Sequence, residues 1–182
     1  VTSMASRLPE LGLVPGLAMD LTCNDPDDGM PWDFNDEGKR TKAMKHIKDE
    51  KPLFVVVSPM CRAFSAWQAL NKAKHPNSAV HMEETKQEAM LHLNFATEIC
   101  REQFENGRYF LFEHPFGATS WHEECLRSLA EDNRVGKAHS DQCQAVAQVS
   151  KNGHPPGLRI GLAVGSLLVR WTCSSRTICV YL

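Results

Sequence analysis

Leu53–Ser65, with the sequence LFVVVSPMCRAFS, joins a predicted strand to a cysteine. Its five leading apolar residues, three of them β-branched, predict a strand that is buried on both faces of a sheet. Pro52 and Pro59 bound this strand, because proline cannot donate a hydrogen bond to a sheet ladder. Cys61 therefore follows a buried strand at the edge where open α/β sheets bind their ligands. This position favours a reactive thiol over a purely structural one.

The composition is typical of a soluble globular protein with one domain. The chain has 182 residues, of which 42% are hydrophobic and 23% are charged. The net charge of −2 argues against a dominant electrostatic grip on nucleic acid, although a local basic cleft is compatible with it. The seven cysteines form no CxxC pair and no zinc-ligand spacing, which predicts a reduced, intracellular setting without a metal site. We see no transmembrane run and no signal peptide, so we expect no membrane contact, and the absence of a starting Met indicates a fragment.

Helices and strands alternate along the predicted chain. Helices are predicted from a cap at Thr2 or Ser3 to about Leu11, from a cap at Asn35 or Asp36 to about Asp49, from about Met82 to Asn106, and from a Ser120–Glu123 capping box to about Ala130. Strands are predicted at Leu17–Leu21, Leu53–Val57 and Arg108–Phe112, and the polar residues 24–29 between them predict a surface turn. The alternation predicts an α/β fold with a three-layer, doubly wound, mainly parallel sheet.

The charge balance changes after Gln144. Residues 1–144 contain all 22 acidic residues and carry a net charge of −6, whereas residues 145–182 contain no acidic residue and carry +4. At the earlier frequency, about six acidic residues would be expected in the second segment. We therefore predict an α/β domain over residues 1–144 and an irregular segment over 145–182. Our hypothesis is that this segment is an aberrant, out-of-frame terminus, and a genuine basic, apolar tail is the alternative.

Cys61 and Glu113 each come after a strongly predicted strand. A thiolate at a strand end can add to an electron-poor carbon when nearby groups lower its pKa. A carboxyl group on a neighbouring strand can then protonate, or hydrogen-bond to, the ring under attack. A right-handed crossover through the long helix allows the two strands to be adjacent. Each residue also has a purely structural alternative. Cys61 would be an inert thiol, Glu113 a carboxylate that satisfies backbone amides, and His114 a packed imidazole.

Two short motifs together resemble those of a known family. Residues 59–65, PMCRAFS, resemble the Pro-Pro-Cys-Gln-x-Phe-Ser motif of carbon-5 cytosine methyltransferases, and residues 113–115, EHP, resemble their Glu-Asn-Val motif. The overall likeness is greatest to methyltransferase-like domains of retroelement-type polyproteins, and it covers about residues 1–144. It implies a Rossmann-like fold whose first strand and Gly-rich cofactor loop lie before Val1.

The resemblance also implies a reaction. Cys61 would attack carbon 6 of a cytosine in DNA while Glu113 engages ring nitrogen 3, and carbon 5 would take a methyl group from S-adenosylmethionine. The target base would be flipped out of the duplex to reach the thiol. Such an enzyme would act in the nucleus, and RNA remains open as a substrate.

Four residues match cofactor-contacting positions of that family: Asp20, Asp33, Phe34 and Pro59. By analogy, Asp20 would hold the cofactor ribose, and Asp33 with its apolar neighbour Phe34 would contact the adenine.

Two other functions remain open. The first is a non-catalytic fragment or a degenerate retroelement-derived domain of the same fold, since Arg62 replaces the family's Gln and His114-Pro115 replaces its Asn-Val. The second is a thiol-dependent hydrolase or transferase, which would require a hydrogen bond between Cys61 and His114.

Overall fold

The computed structural model describes residues 13–65, 68, 79–141, 159–165 and 176–181. The strands in these ranges are β1 (Leu13–Met19), β2 (Phe54–Val57), β3 (Tyr109–Pro115), β4 (Val135–Asp141), β5 (Arg159–Gly165) and β6 (Arg176–Tyr181). The α-helices are α1 (Glu37–Glu50), α2 (Ala79–Glu105) and α3 (Glu124–Ala130), and short 3-10 helices lie at Arg62–Phe64 and Thr119–His122.

The strands form one sheet in the order β1-β6-β2-β3-β5-β4. β1, β6, β2 and β3 are parallel, whereas β5 is antiparallel to both β3 and β4. Val57 at the end of β2 is paired with Phe112 on one side and with Tyr181 on the other. The parallel strands therefore bring their carboxyl ends to one edge of the sheet.

The described helices form one layer against this sheet. α2 contacts α1 and α3 and packs on β2 and β3. On α1, the apolar residues Ala43, Met44 and Ile47 recur at helical spacing, and all three are buried. Along β3 burial alternates, so one face of the strand meets the core while the other stays partly exposed. The second helical layer of the three-layer prediction stays a prediction.

Two helix ends agree with the local sequence signals. Asp36 caps α1, because its Oδ1 accepts a hydrogen bond from the Gly38 amide at 2.7 Å. α2 ends at Glu105, and Gly107 just beyond it has a positive φ of 68° that favours glycine. The amide of Arg108 then donates to the Gln103 carbonyl at 2.8 Å, which satisfies an unpaired carbonyl of the last helical turn.

The predicted capping box before α3 is wrong. Ser120 lies in a 3-10 helix rather than at an N-cap, and its buried hydroxyl has no hydrogen-bond partner among the described residues. Glu123 precedes α3 and makes no side-chain capping bond. The hydrogen bond from the Glu123 amide to the Ser120 carbonyl closes the tighter 3-10 turn instead, which moves the start of the helix later.

β3 is longer than predicted. Glu113-His114-Pro115 lie within the strand, because β5 pairs with this end of it and matches Glu113 with Leu162. β1 begins and ends earlier than the predicted strand Leu17–Leu21. The predicted helix that ends near Leu11 lies outside the described residues.

Residues 145–182 differ from the irregular segment that we predicted. They contain β5 and β6, two short strands with the sequences RIGLAVG and RTICVY, which are separated by residues 166–175. Such runs show too few alternations to be distinguished from a loop by periodicity alone. β6 occupies the position between β1 and β2, so sheet pairing across more than a hundred residues gives it its place.

No helix in the described part of the chain is both long enough and apolar enough to cross a bilayer.

Candidate functional site

The structure places Glu113 beside the end of β2. After the pair Val57 and Phe112, the next residues on the two strands are Ser58 and Glu113. The Ser58 hydroxyl donates a hydrogen bond to Glu113 Oε2 at 3.3 Å. The carboxylate is partly exposed and lies on the face of β3 opposite His114. Glu113 is thus held at the sheet edge from which the chain continues to Cys61.

Cys61 lies in an anchored turn with its side chain exposed. Its carbonyl accepts a hydrogen bond from the Phe64 amide at 3.0 Å, which starts the 3-10 helix. The Phe64 ring is almost fully buried, and the Phe64 carbonyl accepts a hydrogen bond from the Thr119 hydroxyl at 3.4 Å. Cys100, by contrast, is a buried and inert thiol, because burial raises its pKa far above the usual value. The Cys61 thiol is accessible to a substrate.

His114 is packed among aromatic side chains. Its ring is 1% exposed, lies parallel to the Phe112 ring at a centroid distance of 5.8 Å, and meets the Phe64 and Trp121 rings edge-on. Neither ring nitrogen has a hydrogen-bond partner among the described residues, and burial lowers the pKa of His114 to about 4. The Cys61–His114 hydrogen bond that a thiol hydrolase would require is therefore not formed.

Asp20 lies directly after β1, at the same sheet edge as Cys61. Its Oδ1 accepts a hydrogen bond from the Thr22 amide at 2.6 Å and another from the Thr22 hydroxyl. These bonds, the hydroxyl's foremost, hold the pKa of Asp20 below its ordinary value against the opposing effect of partial burial. A partly exposed, ionised carboxylate here fits the hydroxyl groups of a ribose.

The adenine-contacting residues expected from the resemblance are less accessible. Asp33 is partly buried, and its Oδ1 accepts a hydrogen bond from the Asn35 amide at 2.9 Å. The Phe34 ring is only 5% exposed and packs on Phe95 at a centroid distance of 5.1 Å. Pro59 is also buried. Asp20 and Asp33 fit a cofactor's polar groups, whereas Phe34 is a core residue that presents no free ring face.

The polar segment 24–29 contains a buried ion pair rather than only a surface turn. Asp25 is fully buried and pairs with Lys39 at 2.8 Å and with Lys42 at 2.6 Å. Lys39 also pairs with Asp28, and its ammonium lies 5.2 Å from the centre of the Trp32 ring. The surface-turn prediction is wrong for Asp25. The spacing of Lys39 and Lys42 on one helical face was the signal that could have indicated this cluster.

A cavity of about 440 Å³ opens beyond the end of β3. Its walls come from the segment after β3, from α3 and from β4, and no sequence pattern predicted a site there. The chief lining side chains are Phe116, Trp121, His122, Arg127, Glu131 and Lys137. Thr119 also lines this cavity. Its hydroxyl donates to the carbonyl of Phe64, which belongs to the Cys61 turn.

A search of the described residues finds no cluster of three or more His, Cys, Asp or Glu side chains that would hold a metal ion. Comparison with protein-family models, with curated proteins and with solved structures finds no match to this chain.

Proposed function

We propose that this chain is a methyltransferase-like protein that acts on carbon 5 of cytosine in DNA, with Cys61 as the nucleophile and Glu113 at ring nitrogen 3. By the resemblance of its motifs, we place it among S-adenosylmethionine-dependent, Rossmann-like domains of retroelement-type polyproteins. One observation carries the proposal: an exposed thiol follows β2, and a hydrogen-bonded carboxylate lies on the adjacent parallel strand β3.

The chemistry follows from the roles of these two side chains. The Cys61 sulfur bonds to carbon 6, and the electron density moves toward ring nitrogen 3, where the Glu113 carboxyl donates a hydrogen bond or a proton. Ser58 keeps the Glu113 carboxyl in position for this contact. After carbon 5 has been methylated, a water molecule takes the remaining proton from carbon 5, the sulfur–carbon bond breaks and Cys61 leaves as the thiolate. Bound S-adenosylmethionine supplies the methyl group.

The cofactor side of the proposal rests on the edge formed by the parallel strands. Asp20 follows β1 and Cys61 follows β2, so both lie where open α/β sheets bind nucleotide-like ligands. Asp20 would accept hydrogen bonds from ribose hydroxyls, and Asp33 from the adenine amino group. A DNA cytosine would have to leave the base stack to meet the thiol.

A non-catalytic descendant of the same fold is the second candidate. The observation that favours it is the burial of Phe34 and Pro59, which removes two of the four expected cofactor contacts. A thiol hydrolase is not favoured, because His114 makes no hydrogen bond to Cys61.

A covalent trap tests the catalytic proposal. We expect an oligonucleotide containing 5-fluorocytosine to form a covalent adduct with the protein in the presence of S-adenosylmethionine. Fluorine on carbon 5 replaces the proton whose loss would release the Cys61 sulfur, so the adduct persists. Cys61→Ser should abolish the adduct, and Glu113→Gln should slow its formation at least about 100-fold. Denaturing gel electrophoresis and mass spectrometry measure the adduct.

Cofactor titration separates the two candidates. Saturable heat on addition of S-adenosylmethionine supports the methyltransferase, and Asp20→Asn should weaken this binding.

Cys100→Ser is the matched control for the covalent trap, because the Cys100 thiol is buried and should not form the adduct. Folded protein that neither binds the cofactor nor forms the adduct would leave only the non-catalytic descendant.

A further inference from the structure

The cavity beyond β3 has the size and lining of a small-ligand site. Its volume of about 440 Å³ lies within the usual range for ligand pockets, roughly 300–1,000 Å³. It lies next to the Cys61 turn, since Thr119 both lines the cavity and donates to the Phe64 carbonyl. The residues used in the proposed reaction, Cys61 and Glu113, are not among its lining residues.

Two aromatic side chains stand in the wall of this cavity. Trp121 is held in position, because its indole N–H donates to the Pro115 carbonyl at 2.8 Å and its ring packs edge-on against Phe112 and His114. Phe116 is 46% exposed, so a ligand in the cavity can reach its side chain. Aromatic rings presented in this way stack on nucleobases of any sequence.

The two basic lining residues, Lys137 and Arg127, complement a phosphate. Lys137 is exposed and has no ion-pair partner in the described part of the chain. Arg127 is exposed as well, and it shares its guanidinium with Glu124 one turn earlier on α3. Ammonium and guanidinium groups are the usual protein partners of phosphate oxygens. Glu131 supplies an acceptor for a ribose hydroxyl or an exocyclic amino group.

We propose that this cavity binds one nucleoside monophosphate unit, with the base against Trp121 and Phe116 and the phosphate on Lys137 and Arg127. The unit is either a free nucleotide or one residue of a single strand, because both present the same base and phosphate. The site is distinct from Cys61 and Glu113, and its occupation does not depend on the methyl-transfer reaction.

Calorimetric titration of the full chain tests this site with defined probes. We expect saturable binding of CMP and AMP, with binding of ribose 5-phosphate and of cytidine each at least about tenfold weaker, because each lacks one half of the recognised unit. A single-stranded tetranucleotide identifies the source: tighter binding than CMP indicates a strand, and weaker binding indicates a free nucleotide. Both results support the site.

Exposed residues supply variants that should keep the fold. Lys137→Ala should raise the Kd for CMP about tenfold, and Phe116→Ala about fivefold or more. Lys86→Ala and Leu21→Ala, which remove an exposed lysine and an exposed apolar side chain elsewhere, should leave the Kd unchanged.

Three results would overturn the inference. They are the absence of saturable CMP and AMP binding by folded protein, ribose 5-phosphate binding as tight as that of CMP, and CMP affinity that neither Lys137→Ala nor Phe116→Ala changes. The second result would reduce the cavity to a site for simple anions, and the third would place the nucleotide elsewhere.

Discussion

His114 is a neutral imidazole in an aromatic environment. Burial lowers its pKa from 6.5 to about 4, so the folded chain binds a proton less readily than the unfolded chain. The stability due to this group is complete above pH 6.5 and is lost as the pH falls from 6.5 to 4, where only the unfolded chain gains the proton. At pH 7 its ring nitrogens, which have no hydrogen-bond partner among the described residues, still carry the cost of burial.

We therefore expect His114→Phe to stabilise the fold by about 1–3 kcal/mol at pH 7, and by more at pH 4.5. Urea unfolding at both pH values measures this, and His122→Phe, at an exposed site, is the control. If the free energy of unfolding of His114→Phe depended on pH as that of the parent chain does, the lowered pKa of His114 would be contradicted. The same variant should keep the 5-fluorocytosine adduct, because the proposed chemistry does not use the imidazole.

Asp25 makes the fold sensitive to acid in a lower pH range. Burial alone would raise the pKa of Asp25, but hydrogen bonds from Lys39 and Lys42 outweigh it and hold the pKa well below 3.8. This stabilisation is complete above about pH 4 and is lost as the pH falls toward the folded-state pKa.

Asp25→Asn should lower the Tm at pH 7 by several degrees, because it leaves Lys39 buried with Asp28 as its one ionic partner among the described residues. The loss of Tm on going below pH 4 should be smaller in this variant than in the parent chain. Thermal melts between pH 2.5 and pH 7 measure both effects. Asp27→Asn is the matched control, since the Asp27 side chain is 74% exposed, and an equal effect of both variants would refute the role of burial.

At the scale of the element, α2 contributes more buried apolar residues than either α1 or α3. Its residues Ala89, Leu93, Ala96 and Cys100 are all buried, as the three-to-four-residue period predicts, whereas Phe104 is only partly buried. Local signals were sufficient for most of α2 because a long amphipathic period and an Asn-Gly end agree, although the helix begins at Ala79 rather than at the predicted Met82.

Leu93→Ala should destabilise the fold by about 2–5 kcal/mol. The Leu93 side chain is fully buried, so its removed atoms leave a cavity in the core. The neighbouring change Asn94→Ala, at an exposed position, should stay within about 0.5 kcal/mol. Chemical denaturation measures both. A similar effect for the two variants would show that α2 does not pack on the sheet through this face.

Local signals were insufficient for α3 and β4. Ser120 and Glu123 have the spacing of a capping box, yet tertiary packing buries the Ser120 side chain and closes a 3-10 turn around it. β4 has the sequence VGKAHSD, whose weak apolar character gives no periodic signal. Its strand conformation depends on antiparallel pairing with β5, a segment that starts some twenty residues later.

At the scale of the molecule, β6 joins β1 to the rest of the sheet. Among the described strands, β1 pairs only with β6, and β6 in turn pairs with β2. Removal of residues 166–182 should therefore detach β1 and expose one side of β2. We expect amide hydrogen exchange at Val55–Val57 to become at least about tenfold faster, because these residues lose a neighbouring strand. Unchanged protection would show that β6 is dispensable.

The hypothesis that residues 145–182 are translated out of frame can be tested on the coding DNA. The charge change after Gln144 motivates it, and the presence of β5 and β6 in the segment does not decide it. Translation of the neighbouring frames of the coding DNA checks it directly. An acid-containing continuation with helix and strand periodicity in one of them supports the hypothesis, and its absence from both contradicts it.

The sequence by itself determined the features that depend on neighbours within one helical turn or one strand. These are α1 with its Asp36 cap, α2 with its glycine end, and the buried strand β2 with Cys61 just after it. Propensity, capping and apolar period act over a few residues, so they can be recognised without the fold.

Only the tertiary structure decided which segments become neighbours. It placed Ser58 against Glu113, His114 and Phe34 in the core, Asp25 between two lysines, and β6 between β1 and β2. Each of these depends on burial and pairing between residues that are far apart in the chain, and no local pattern carries that information. The accessibility of Cys61, on which its proposed role depends, was decided at this level as well.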